Sequence, residues 1–371
     1  MIFPPERAAD VISRIRGRPI LAASSFRPDI VNMNAVRAPA VAGAFYPGTS
    51  DALQSQLLAL LASVGTADAR RPKALIAPHA GYLYSGPIAA SAYAHIAPHR
   101  NDYSRVVLIG PAHRVRLRGL ALPASTSFAT PLGEISLDRD AVVALRGLPQ
   151  VCVSDEAHAL EHSLEVHLPF LQQTLAGFTL VPLTVGDASV QEVAEVLDLL
   201  WGGNETLIVV SSDLSHYLPY SQARLVDERT TRMILDLAPR LNHEQACGAT
   251  PVNGLLHAAG RRGLRPELLD LRNSGDTAGD KNRVVGYASF AFYGGTSAEE
   301  VDKPANELNE ADGNLLIAIA RSAIADRFGR CFSATEPAAF LHRPAACFVT
   351  LKKDRRLRGC IGSLVAQRSL F

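Results

Sequence analysis

The chain is short of cysteine, of excess charge and of long apolar runs, and each shortage closes a class of function. Its five cysteines, Cys152, Cys247, Cys331, Cys347 and Cys360, are widely spaced and odd in number, with no C-x-x-C among them. A reduced, cytoplasmic protein is the simplest reading. Formal net charge is +1, so no global field favours nucleic acid or an anionic membrane. The basic run Lys352, Lys353, Arg355, Arg356 and Arg358 reads as the solvated face of a hairpin. No apolar stretch approaches the roughly 20 residues of a membrane span. G-x-S-x-G, the Walker loop and a G-x-G-x-x-G after a strand are all missing, and so is H-E-x-x-H. The first 34 residues lack the apolar core of a secretory signal. Residues 1–35 are therefore either a disordered extension or sequence upstream of a start near Met33.

What is present is a recurring strand ending. Lys73–His79 (KALIAPH), Arg105–His113 (RVVLIGPAH) and Thr206–His216 (TLIVVSSDLSH) each run through apolar, β-branched residues and stop at histidine or aspartate. Apolar on both faces, they read as buried parallel strands. Ligands of open α/β sheets bind beyond the carboxyl ends of such strands. His79, His113, Asp213 and His216 are thus expected at one sheet edge, where imidazoles and a carboxylate make a metal or acid/base site.

With 47% hydrophobic and 20% charged residues over 371 positions, the chain has room for one large domain and part of another. The main domain, 36–295, alternates strand-like and helix-like pieces. This predicts an α/β fold with a mixed, largely parallel central sheet flanked by helices. Asp51–Val64 and Leu225–Leu237 read as helices. Ser85-Gly86-Pro87 reads as the cap and first turn of a helix through His95. Phe128–Leu137 reads as a hairpin, and Phe178–Val185 and Arg283–Tyr293 as further strands. Residues 296–308 have the composition of a linker. Beyond it, 309–371 forms a partial α+β unit: a helix over Asn309–Arg327, then strands over Ala345–Leu351 and Leu357–Leu364.

Each candidate residue also has a plainer reading. His79 and His113 could be turn histidines, and Ser211–His216 could be a helix cap with a surface histidine. Buried polar groups behind β-branched runs nevertheless need partners. Thr250-Pro251 reads as the cap and first position of a helix over Val252–Ala259. Cys247 would then lie just before a helix start that favours its thiolate, although a small buried apolar cysteine is the commoner fate. His158, His162 and Glu165 have the spacing of one helical face. Together with His167 they read as a second shell or substrate wall, or else as a solvated face. Asp276 either reaches the site or caps a turn.

Val41–Pro47, Pro78–Tyr82, Gly110–His113, Glu161–Pro169 and Ser211–His216 resemble, in order, the signature segments of the Memo family. The resemblance covers about 36–293. Leu357–Leu364 resembles the start of an AMMECR domain over about 309–371, truncated relative to that family. The Memo resemblance implies a fold like that of class III extradiol dioxygenases, which are non-haem Fe(II) enzymes. It makes His79 and His113 metal ligands and His216 the acid/base, supported by Asp213. Cys247 stands where the dioxygenases have a carboxylate ligand, and a thiolate suits copper or zinc as well as iron. Tyr82, His162, Glu165, His167 and Asp276 fall into the substrate or second-shell set. The implied function is that of a metal-dependent redox or oxygenase-type enzyme with a small-molecule or peptide substrate. A binding or adaptor module and a zinc hydrolase are the alternatives. Relatives of both segments are associated with a radical SAM protein, a partner the resemblance implies here. Neither nucleic acid nor membrane is expected as a partner.

Overall fold

The computed structural model describes residues 35–65, 70–294, 348–353 and 356–362. The expected N-terminal extension, linker and 309–327 helix lie outside the described residues. The chain divides into two units, 1–295 and 296–371.

The first unit is built on a nine-stranded mixed sheet. Its order across the sheet is His216–Leu218, Val284–Tyr293, Ala74–Ala77, Thr206–Ser211, Arg105–Pro111, Thr179–Val185, Leu120–Leu122 and Val151–Val153. Arg265–Asn273 also pairs with Val284–Tyr293. The four central strands run parallel. They are almost wholly buried, as apolar residues on both faces require. One face packs Val193, Val196, Leu197, Leu255 and Leu256 of the helices Val190–Leu200 and Ala249–Arg261. The other packs Leu53, Leu57, Tyr93 and Phe170, from Ser50–Ala62, Tyr82–Ala94 and Leu168–Thr174. A smaller sheet of Val36–Arg37, Ser127–Thr130 and Gly133–Ser136 includes the expected hairpin.

Three local expectations change. The helix placed after Ser85-Gly86-Pro87 begins five residues earlier than Pro87, at Tyr82, and Pro87 lies inside it. Tyr82 N–H donates to the Phe45 carbonyl at 2.7 Å, and the Tyr82 ring packs on Tyr46 and Phe170, so burial of Tyr82 sets the start. The helix placed at Val252 begins at Ala249, with Pro251 in its first turn, where a missing N–H costs no hydrogen bond. The expected single helical face through His158, His162 and Glu165 does not exist. Glu156–Ala159 is one short helix, and Glu165–His167 is a separate 3-10 turn leading into Leu168–Thr174.

In the second unit, Phe348–Lys353 and Arg356–Gly362 pair antiparallel, close to the expected strand pair. No helix among the described residues is long and apolar enough to cross a membrane.

Candidate metal centre

The parallel strands Ala74–Ala77, Arg105–Pro111 and Thr206–Ser211 end at the same sheet edge, and two residues past the first two lie His79 and His113. Their ring centroids are 5.1 Å apart. The loop after Glu156–Ala159 adds His162, whose ring stacks on His113 at 4.9 Å and meets His79 edge-on at 5.5 Å. One donor atom from each of these three imidazoles lies within 4.8 Å of the other two. His79 is buried, His162 is partly covered and His113 opens to solvent, so the cluster has a closed back and an accessible front.

Hydrogen bonds fix the orientation of the His113 and His79 rings. His113 Nδ1 lies 2.9 Å from Glu161 Oε1, and its backbone N–H donates to Oε2 at 2.5 Å. An ionised carboxylate can only accept, so Nδ1 carries a proton, which leaves Nε2 as the nitrogen available to a metal. Burial pushes the Glu161 carboxyl up, but the bonds from His113 and from the Ser163 backbone outweigh it and hold the group at about 2. A carboxylate behind an imidazole in this way orients it and raises its basicity toward a metal. His79 Nδ1 lies 2.6 Å from Ser211 Oγ. His162 Nδ1 is a buried nitrogen without a hydrogen-bond partner. Burial, and then the neighbouring imidazoles, push His79 well down. Burial likewise lowers His162 to about 4. Neutral imidazoles are the form that binds metals.

Cys247 precedes the helix Ala249–Arg261, with Gly248 between them. A Cβ at Gly248 would lie 2.5 Å from the Ser211 carbonyl oxygen. Only glycine lets this loop close on the strand end, and the approach brings Cys247 Sγ to 3.3 Å from His79 Nε2. Burial and then the Asp213 carboxylate push the thiol well up. The help expected from the helix start is outweighed. Asp213 Oδ1 accepts the His79 backbone N–H at 2.8 Å, and Oδ2 lies 4.0 Å from His79 Nε2. Burial raises the carboxyl to about 6 against the pull of the His79 bond and the His216 charge. His216 Nδ1 donates to the Leu214 carbonyl at 2.8 Å, leaving Nε2 free to take a proton. The strand His216–Leu218 carries a bulge at Tyr217, whose φ of 59° is left-handed. Bulges of this kind re-aim side chains beside functional sites.

The remaining candidates separate. His167 sits behind His79 and reaches it through Ser211 Oγ, 2.9 Å from its Nε2. Glu165, expected in the substrate or second-shell set, clamps the start of the domain. It accepts from Arg37 Nη1 and Tyr46 OH at 2.6 Å, and from the Ala40 and Val41 backbone at 2.7 and 2.9 Å. Tyr82 gives its hydroxyl to the Val166 carbonyl at 2.7 Å and packs into the core. Asp276 caps the turn Ser274–Thr277 and accepts from Tyr220 OH at 2.6 Å. Tyr93 and Arg37 were not among the expected site residues, and Ser211 was named only as the first residue of Ser211–His216. Ser211 alone carried a signal, being a buried polar residue at the carboxyl end of a fully buried strand, the end that faces the site.

Comparison with known proteins identifies the family. The Memo-like protein profile matches residues 37–291, and the AMMECR1 profile matches 317–371. A MEMO1 family protein of Methanosarcina barkeri is 38% identical over 272 residues, covering 69% of this chain and 99% of that one. Another from Aquifex aeolicus is 35% identical over 274 residues, with the same two coverages. An uncharacterized protein of Escherichia coli K12 superposes with a TM-score of 0.40 at 17% identity, covering 60% of this chain and 100% of that one. A likeness that low carries no argument.

Proposed function

The chain belongs to the Memo family, and from that premise we propose that its α/β domain is a non-haem metal-dependent enzyme of redox or oxygenase type. The observation that carries the reading is the donor trio His79, His113 and His162. The trio fits a divalent ion: the hydrogen bonds of His79 and His113 use their Nδ1 atoms and leave Nε2 available, and the buried His162 Nδ1 makes no hydrogen bond, with the Glu161 carboxylate 3.4 Å away. Three protein donors with an open front leave positions for other ligands. When bound, the ion supplies Lewis acidity, and iron or copper would add electron transfer. The chain's own part is to hold three imidazoles in place and to move a proton at His216 Nε2. Asp213 anchors the His79 backbone and sets the local charge between His79 and His216. Cys247, expected as the third ligand, lies against His79 Nε2 and competes with His162 for that role.

One observation favours a second reading. Three histidines are also a zinc donor set, in which the fourth position holds water for hydrolysis. Metal analysis of protein purified without oxygen, combined with oxygen uptake, separates the two. Iron or copper with oxygen uptake supports the first; zinc with oxygen-independent hydrolysis supports the second.

The roles are tested by substitution. His79→Ala and His113→Ala should abolish stoichiometric metal. His216→Ala should leave metal in place and lower turnover by roughly 10²–10⁴, the usual worth of general acid/base catalysis. Loss of metal in His162→Ala with retention in Cys247→Ser names His162 as the third donor, and the opposite result names Cys247. Metal lost in His216→Ala would remove His216 from the acid/base role. If none of these substitutions alters metal content, the metal reading fails.

A further inference from the structure

Ser211 Oγ stands at the junction of three buried groups. It lies 2.6 Å from the Ser163 carbonyl oxygen, 2.6 Å from His79 Nδ1 and 2.9 Å from His167 Nε2. A hydroxyl has one proton and two lone pairs. The carbonyl can only accept, so the serine proton is committed to Ser163. Both imidazole nitrogens must then donate to Ser211 Oγ. This places a proton on His79 Nδ1 and one on His167 Nε2. The His167 Nδ1 lone pair in turn accepts from Tyr93 OH at 2.8 Å. Every donor and acceptor along Tyr93, His167, Ser211 and His79 is matched, and the direction of each bond follows from the single carbonyl at Ser163.

We infer that Ser211 is a positioning residue: it locks the His79 ring in the Nδ1–H tautomer and in one rotation, so that the Nε2 lone pair is held toward His113, His162 and Cys247. The inference rests on the proposed metal-donor role of His79. A proton-delivery role for the same chain of groups does not fit. Ser211, His167 and Tyr93 are buried, and the Tyr93 ring stacks on the buried Phe170 at 4.9 Å and 8°. The line therefore ends in the core, with no outlet to water at Tyr93. A closed network of neutral, fully satisfied groups orients its members. The partner behind an imidazole ligand normally fixes tautomer and ring orientation in this way, and its loss typically costs 10–100-fold in metal affinity. Here the partner is a strand-borne serine.

The test uses the full chain with ¹⁵N-labelled histidine and two readouts. Long-range ¹H–¹⁵N spectra of metal-stripped protein report the His79 tautomer, and Co²⁺ titration reports affinity. The unaltered chain should show His79 protonated on Nδ1. Ser211→Ala should lose that single tautomer and bind Co²⁺ about 10–100-fold more weakly, whereas Ser211→Thr, which keeps a hydroxyl, should retain both properties. His79 protonated on Nε2 in the unaltered chain overturns the inference, even if Ser211→Ala does not fold. So does a folded Ser211→Ala variant with unchanged tautomer and affinity. Failure of the unaltered chain to bind Co²⁺ would sink the metal reading alone, because the tautomer spectra would still decide for or against Ser211.

Discussion

Replacing Arg37 with alanine should loosen the candidate metal centre from a distance. Arg37 is 7% exposed and donates to three groups of the site-bearing loop. These are the His158 carbonyl at 2.8 Å, the Glu161 carbonyl at 2.7 Å and the Glu165 carboxylate at 2.6 Å. Breaking a buried ion pair from one side costs about 3–5 kcal/mol, because the partner charge is left behind. Glu165 keeps Tyr46 and two backbone donors, which pulls the cost toward the lower figure. The two carbonyls stranded beside it pull it back, since an unsatisfied buried acceptor costs about 1–3 kcal/mol. At about 2–4 °C per kcal/mol for a domain near this size, the melting temperature should fall by roughly 10 °C. The control is Arg70→Ala. Arg70 pairs with Glu267 at 2.7 Å, but both side chains are about two-fifths exposed, and such pairs are worth at most about 1 kcal/mol. Thermal unfolding followed by circular dichroism compares the two variants. Co²⁺ affinity should fall in Arg37→Ala as well, because the released loop carries Glu161 and His162. Equal melting shifts in the two variants would refute the claim that burial makes the Arg37 pair different in kind.

Two further perturbations follow from the same physics. In Gly286→Ala the new Cβ would meet Asp227 Oδ2 at 2.0 Å, and that carboxylate is buried and holds the Ser215 N–H at 3.0 Å; a loss of about 1–3 kcal/mol in urea unfolding is expected, partly recovered in Gly286→Ala/Asp227→Ala, and no recovery would place the strain elsewhere. Acid should destabilise the domain well above the carboxylate range: burial lowers His167 to about 3 and, against the Ala121 bond, His158 to about 4, whereas an unfolded histidine titrates near 6.5. Below about 6.5 the unfolded chain takes up protons that these folded groups refuse, so the urea midpoint should fall steadily from pH 7 toward 4; Glu161, held at about 2, adds its own loss only below its unfolded value of about 4.3. A flat midpoint between pH 7 and 5 would contradict the burial of these imidazoles.

The sheet was legible because its central strands announce themselves. Ala74–Ala77, Arg105–Pro111, Thr179–Val185 and Thr206–Ser211 are apolar on both faces and end in polar punctuation, so composition alone separates them from half-buried strands. The strand Arg265–Asn273 escaped notice for the opposite reason. Among the described residues it has a neighbour on one side only, carries Arg265, Glu267, Asp270 and Arg272, and is mostly half exposed, so no apolar run marks it. Helix starts moved where tertiary contact overrode local chemistry. Tyr82 is pulled under Tyr46 and Phe170, and Pro87 is carried into the helix behind it.

The site divides along the same line. His79, His113, Asp213 and His216 were legible because each is tied to a strand end, and strand ends of a parallel sheet share an edge by construction. His162 was assigned to a supporting wall because spacing along 158–165 mimics a helical face. What defeats that periodicity lies far away in the chain. The loop is tied down by Arg37, 121 to 128 residues earlier in sequence. It is also tied by Glu161, which spends its carboxylate on His113, His162 and Ser163 nitrogens rather than on a helical neighbour. Local pattern cannot report a turn whose cause is 120 residues away. It does report a residue that breaks its own pattern, and Ser211 is such a residue: a hydroxyl that follows the apolar run Leu207–Val210 at the end of a fully buried strand must find partners. The partners it finds are the two imidazoles and the carbonyl whose bond directions set the face His79 presents to the site.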